Sequence, residues 1–144
     1  MKVRPANPED YDGLLDLLMQ LNPEDAPPAG MEKQAFEEIL ASENLQLMVA
    51  EVEGNLVASC YLNIIPNMTR NGRPYAVIEN VITDQEHRKR GIGKAILDRA
   101  VETAKWAGCY KVMLMSGRSD ESVHHFYRGC GFDGDAKQAY IIRF

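Results

Sequence analysis

The residues best suited to chemistry run from Asp84 to Lys94, Asp-Gln-Glu-His-Arg-Lys-Arg-Gly-Ile-Gly-Lys. Arg88, Lys89, Arg90 and Lys94 gather four cations within seven residues of a chain whose formal net charge is −5. The chemistry they suit is anion binding. Gly91 and Gly93 let backbone N–H groups come close to a phosphate, and a helix start adds unpaired donors and partial positive charge. A basic cluster on an acidic chain points to one specific anion site, not to general polyanion binding. Two phosphate loops are excluded by spacing: no GxxxxGK[ST] is present, and Ile96 stands where GxGxxG needs its third glycine. The plain alternatives are a solvated turn ahead of a glycine-opened helix, or a basic address signal.

The surrounding elements follow from periodicity. Lys2–Ala6 reads as a short extended segment. Asn7 caps a helix that begins with Pro8 and spans 8–21, with Tyr11, Leu14, Leu15, Leu18 and Leu21 on one face. Residues 22–30 form a proline-rich acidic loop, and a second helix spans about 31–42. Leu45–Val52 and Leu56–Ile65 are strands joined at Glu53-Gly54-Asn55. A polar loop over 66–74 leads to the strand Tyr75–Thr83. Helical period returns from Gly91 to about Ala107, with Trp106 as a packing residue and Gly108 as the stop. Tyr110–Met115 is an apolar strand of the type covered on both faces. A short helix spans 119–128, and Gln138–Phe144 forms a terminal strand. The order β-α-α-β-β-β-α-β-α-β, in 144 residues without repeat or linker, predicts one α+β domain over 1–144. Its mixed sheet is flanked by about four helices, and 75–115 forms a right-handed parallel crossover.

Composition narrows the function. An acidic pI near 5.2 argues against nucleic acid as a partner. No apolar run reaches membrane-spanning length, and the first residues lack a signal-peptide core, so neither membrane nor secretion is expected. Cys60, Cys109 and Cys130 have no CxxC and no metal-ligand spacing, so we expect reduced thiols, no metal and a cytoplasmic location.

Two stretches carry a family resemblance. Arg88-Lys89-Arg90-Gly91-Ile92-Gly93 resembles the pyrophosphate loop of the GNAT superfamily of acyl-CoA-dependent N-acyltransferases. His125-Phe126-Tyr127-Arg128-Gly129-Cys130-Gly131-Phe132 is similar to that superfamily's F-Y-x-x-x-G-F signature. Their order, with one apolar strand between them, matches as well, and the resemblance covers essentially the whole chain. It implies an acetyl-CoA (coenzyme A) co-substrate. Pyrophosphate contacts would come from Arg88, Arg90, Gly91, Ile92, Gly93 and Lys94, and pantetheine contacts from the backbone of Val81, Ile82 and Thr83. It also implies Tyr127 near the thioester sulfur, Glu79 at the position many members use as a base, and a homodimer as a state found among members. Asp120 stands where members often have Asn. A carboxylate cannot donate that amide bond, so no cofactor contact is expected from Asp120.

The implied reaction moves an acetyl group from a thioester to a primary amine by direct attack. It needs a base for the ammonium, a donor for the oxyanion and an acid for the departing thiolate. Glu79 is the candidate base. By strand alternation it shares a face with Val77 and Val81, where burial would raise its basicity; a solvent-facing strand acid is the alternative. Tyr127 is the candidate acid, against a core aromatic. The N–H of Val81 or Ile82 would meet the oxyanion. His124 and His125 are weaker bases for the role, and Cys130 has no partner spaced to activate it. The acceptor is a small-molecule amine met by the loops 22–30 (Glu24, Asp25) and 66–74 (Arg70, Arg73). Acids suit polyamines or aminoglycosides; arginines suit a phosphate- or carboxylate-bearing amine. The competing class is a non-catalytic acyl-CoA-binding sensor or partner-binding module.

Overall fold

The computed structural model describes residues 1–25 and 30–144. Five strands, β1 (Lys2–Pro5), β2 (Leu45–Val52), β3 (Asn55–Ile65), β4 (Tyr75–Thr83) and β5 (Val112–Leu114), lie side by side in sequence order. The first four pair antiparallel; β4 and β5 pair parallel, as the long connection between them requires. Helices α1 (Tyr11–Leu21) and α2 (Met31–Ala41) cover one face, and α3 (Ile92–Trp106) covers the other. Helix α4 (Glu121–Gly129) follows β5.

The apolar pattern explains the layers. Ile92, Ile96, Leu97, Ala100 and Ala104 recur at helical spacing on α3 and pack on Met48, Cys60, Leu62, Ala76 and Ile78 of the sheet. Each fully buried Ile or Leu of this layer is worth roughly 1.5–3 kcal/mol. The opposite layer joins Leu14 and Phe36 to Leu47 and Val49, with Tyr11, Ile39 and Tyr61 around them. The N-terminal turn is held by a capping box, in which Asn7 and Asp10 satisfy each other's chain. Asp10 is buried and accepts two hydrogen bonds from Arg4, at 2.6 and 2.9 Å; Arg4 also binds Glu51.

Several expectations need correction. Pro8–Asp10 is a 3-10 turn, so α1 begins at Tyr11. Strand β5 is three residues long, and its side chains are half-buried, not covered on both faces. Residues Gln138–Phe144 join no sheet within the chain, because no strand edge lies alongside them. Trp106 is exposed and stacks under the Arg99 guanidinium, 5.1 Å from the ring centroid. Among the described residues no helix is long and apolar enough to cross a membrane.

Candidate active site

The site starts from a mismatch in strand length. β4 pairs with β5 only through Ala76, Val77 and Ile78. It then runs on to Thr83, while the chain beyond Leu114 leaves the sheet. The backbone groups on that side of 79–83 therefore border a gap instead of a strand. An extended ligand bearing amide groups could use them as a strand would. This brings Val81, Ile82 and Thr83 to the place the resemblance implies.

Within the same stretch β4 is irregular. Ser59 pairs with Ile82 and Tyr61 with Glu79, so Asn80 and Val81 together stand opposite the single Cys60. This is a β-bulge, and Asn80 takes a left-handed φ of 50°. The bulge overturns the expected alternation. Glu79 stays beside Tyr61, on the α1–α2 face, whereas Val81 is turned to the α3 face. Glu79 is also exposed, so the basicity expected from burial has no support in the free chain.

The loop after β4 is built by Asp84. Its carboxylate accepts from the Glu86 N–H at 3.0 Å and from Gln20 of α1 at 2.9 Å, and it meets His87 Nδ1 at 2.8 Å. Gln20 in turn accepts from the Gln85 N–H. His87, foremost, and Gln20 hold the Asp84 carboxyl below its ordinary pKa of 3.8. Arg88 donates to the Thr83 carbonyl at 3.1 Å, closing the turn. Gly91 then adopts φ 78°, which glycine alone takes at no cost, and a Cβ there would meet nothing within 4 Å. The space in front of it is open.

Ala95 makes the first bond of the α3 ladder, to the Gly91 carbonyl at 3.0 Å. The N–H groups of Ile92, Gly93 and Lys94 therefore have no partner inside the helix. With the exposed Arg88 and Arg90 beside them, these donors fit a pyrophosphate. Lys94 contributes its main chain; its ammonium is held by Asp98 at 2.7 Å. Gly93 has a different reason to be glycine. A Cβ there would lie 3.2 Å from both Phe126 Cζ and Thr83 Oγ1, so α3 could not approach α4 and β4 as it does.

Tyr127 is placed by the end of α4. The Phe132 N–H donates to the Tyr127 carbonyl at 3.1 Å and the Gly131 N–H to the Arg128 carbonyl at 2.9 Å, with Gly131 at φ 89°. This is a Schellman motif, and its apolar contact is the Tyr127–Phe132 ring pair at 6.4 Å. The F-Y-x-x-x-G-F spacing is therefore the spacing of a helix stop. Its glycine turns the chain, and its second Phe fixes the Tyr. The half-buried Tyr127 phenol has its pKa raised, first by burial, then by Cys130 and Glu79, against a weaker opposing pull from Arg118. It keeps its proton until something beside it asks for one.

The other candidates divide clearly. Burial pushes the Cys60 thiol up to about 12 and raises that of Cys130, so neither is an activated nucleophile. His125 is exposed and His124 half-buried, while Phe126 and Tyr127 take the side of α4 that packs on the core. Asp120 sits at the N-cap of α4 and pairs loosely with Arg118 at 3.4 Å. A cavity of about 260 Å³ lies between α1, α2 and the sheet. Leu14, Leu18, Phe36 and Ile39 form its apolar wall, and Asp25, Glu32, Tyr61 and Asn80 its polar groups. Asp25 thus reaches a pocket, as expected of its loop; the rest of that loop, 26–29, lies outside the described residues. The 66–74 loop does not border the site. Arg73 donates to the Gly108 and Cys109 carbonyls, and Arg70 lies 5.7 Å from the centroid of the Tyr110 ring, by the start of β4.

Residues 11–132 match the model of the acetyltransferase (GNAT) family. The chain belongs to that family. It is 32% identical over 141 residues to a glucosamine 6-phosphate N-acetyltransferase of Trypanosoma brucei brucei, covering 96% of this chain and 92% of that protein. Rice glucosamine 6-phosphate N-acetyltransferase 1 is also 32% identical, over 91% of this chain and 80% of its own. A putative acetyltransferase from Agrobacterium tumefaciens superimposes with a TM-score of 0.95 at 44% identity, over 100% of both chains. The GNAT chain described here moves an acetyl group from acetyl-CoA to an amine. Three features of this acetyltransferase were not read from its sequence: the Asn80–Val81 bulge, the Gln20–Asp84 tie and the Schellman geometry around Tyr127. Only the last had a signal, Gly131 followed by an aromatic residue at helix-stop spacing.

Proposed function

We propose that the acceptor is a small cationic amine held in the α1–α2 cavity, with acetyl-CoA lying in the β4–β5 gap and its pyrophosphate on the 88–94 loop. The observation that carries this reading is the cavity lining. Asp25 and Glu32 supply carboxylates, Tyr61 and Asn80 supply neutral polar groups, and no Lys or Arg is among its described residues. Asn80 is the bulge residue next to Glu79, so an amine in the cavity lies beside the candidate base and the gap. Acetyl-CoA supplies an activated thioester. Glu79, directly or through a water, takes the ammonium proton. The Val81 or Ile82 N–H meets the developing oxyanion, and Tyr127 returns a proton to the sulfur. Free thiols at all three cysteines suit a reducing, cytoplasmic setting.

An amino-sugar phosphate is the second reading, favoured by the names of the trypanosomal and rice relatives. The test is a panel of polyamines, aminoglycosides and glucosamine 6-phosphate with the purified chain and acetyl-CoA. A kcat/KM highest for unphosphorylated polycations supports the cavity reading. One highest for the sugar phosphate replaces it. Acetyl-CoA binding without transfer to any amine returns the sensor alternative.

A further inference from the structure

Two incomplete surfaces of the chain match each other. The first is the outer edge of β5. This strand ends the sheet, pairs only with β4, and leaves Val112–Leu114 half-buried although its sequence is continuously apolar. Met115, just beyond it, is 59% exposed. The second is the C-terminal segment 138–144. Tyr140 is 91% exposed, Ile141 70%, Ile142 82%, and Phe144 is wholly in solvent. The backbone of this segment makes no hydrogen bond to any other element among the described residues. Tyr140, Ile142 and Phe144 would share one face of a strand, with Ile141 on the other, so both faces want cover.

We infer that residues 138–144 pair with the free β5 edge of a second copy of this chain, each copy lending one strand and receiving one. An open edge is a template for another strand. A two-fold exchange satisfies both copies and closes, leaving no apolar end to propagate. The size is adequate. Tyr140 and Phe144 from two copies alone bring about 600–1,000 Å². The surface they cover adds a similar amount, which reaches the roughly 1,200–2,000 Å² of a stable interface. The exchange would also brace β5, one wall of the gap beside Tyr127. The inference rests on these surfaces and not on the acceptor reading.

The test combines light scattering at micromolar concentration with hydrogen exchange read by mass spectrometry on the full chain. The expected result is a dimer whose 138–144 amides exchange about 100-fold or more slower than free chain. Ile142→Asp, and separately truncation after Lys137, should give a folded monomer by circular dichroism. A monomeric wild type overturns the inference. So does a dimer whose 138–144 amides exchange as free chain, since the interface is then elsewhere. Protected 138–144 amides in a monomer overturn it too, since the segment then docks on its own sheet. Dimers of undiminished affinity in both variants do the same.

Discussion

The Phe132 N–H donates to the Tyr127 carbonyl at 3.1 Å while the two rings meet edge to face at 6.4 Å. One turn of chain therefore ends helix α4 and fixes the aromatic that faces the gap. Gly131 makes the turn possible, with φ 89°. Gly131→Ala should cost about 1 kcal/mol or somewhat more, from forcing a Cβ into the left-handed region. It should also lower kcat more than it raises KM for acetyl-CoA, because Tyr127 moves while the 88–94 loop does not. Thermal unfolding and steady-state kinetics check both. An unchanged kcat would separate the helix stop from the chemistry.

Tyr127→Phe keeps the ring packing and removes the proton. The expected loss in kcat is about 10²–10⁴-fold, the usual worth of positioned proton transfer. The sign of the pH effect follows from the raised pKa. The phenol stays protonated past its ordinary 10.0, so the wild-type rate should show no decline from this group below that pH. Full activity in Tyr127→Phe would leave it a core aromatic.

Gly91→Asp places a carboxylate where the open space and free helix N–H groups invite an anion. Coenzyme A affinity by calorimetry should fall about tenfold, the effect of roughly 1.4 kcal/mol at a helix start. An unchanged affinity in the folded variant would move the pyrophosphate elsewhere.

Acid should unfold the chain through its paired carboxylates. Arg4 foremost holds Asp10 below its ordinary pKa of 3.8, and His87 does the same for Asp84. Groups with depressed values add stability above their unfolded pKa and lose it as pH falls through the folded one. Asp10→Asn should thus destabilise by about 1.5–3 kcal/mol at neutral pH, by stripping Arg4 of its charged partner. The gap to wild type should close below pH 3.8, where unfolded Asp10 takes up its proton. Denaturant titrations at neutral and acid pH measure it.

The sequence made the layers legible because period two gives way to period 3.6 at Thr83–Ile92, and glycines punctuate the change. The loop cations and the Tyr127 signature were legible for the same reason: each sits at an element's end. The bulge was hidden, since neither Gly nor Pro marks Asn80, and one unpaired residue there turns Val81 away from Glu79. Arg70 and Arg73 looked free because a sequence does not show that carbonyls of the α3–β5 turn and the Tyr110 ring lie within reach. The segment 138–144 has the composition of a strand; which chain supplies its partner is a matter of assembly.

The central claim is that β4 presents a base and α4 an acid across one gap. Glu79 and Tyr127 are close enough for the carboxylate to raise the phenol's pKa. The most direct measurement is the pH–rate profile of Glu79→Gln beside wild type on the best acceptor. The account predicts a slower variant at neutral pH that recovers as pH rises, because free amine then forms without help. An ascending limb identical in both proteins would contradict it and take Glu79 out of the reaction.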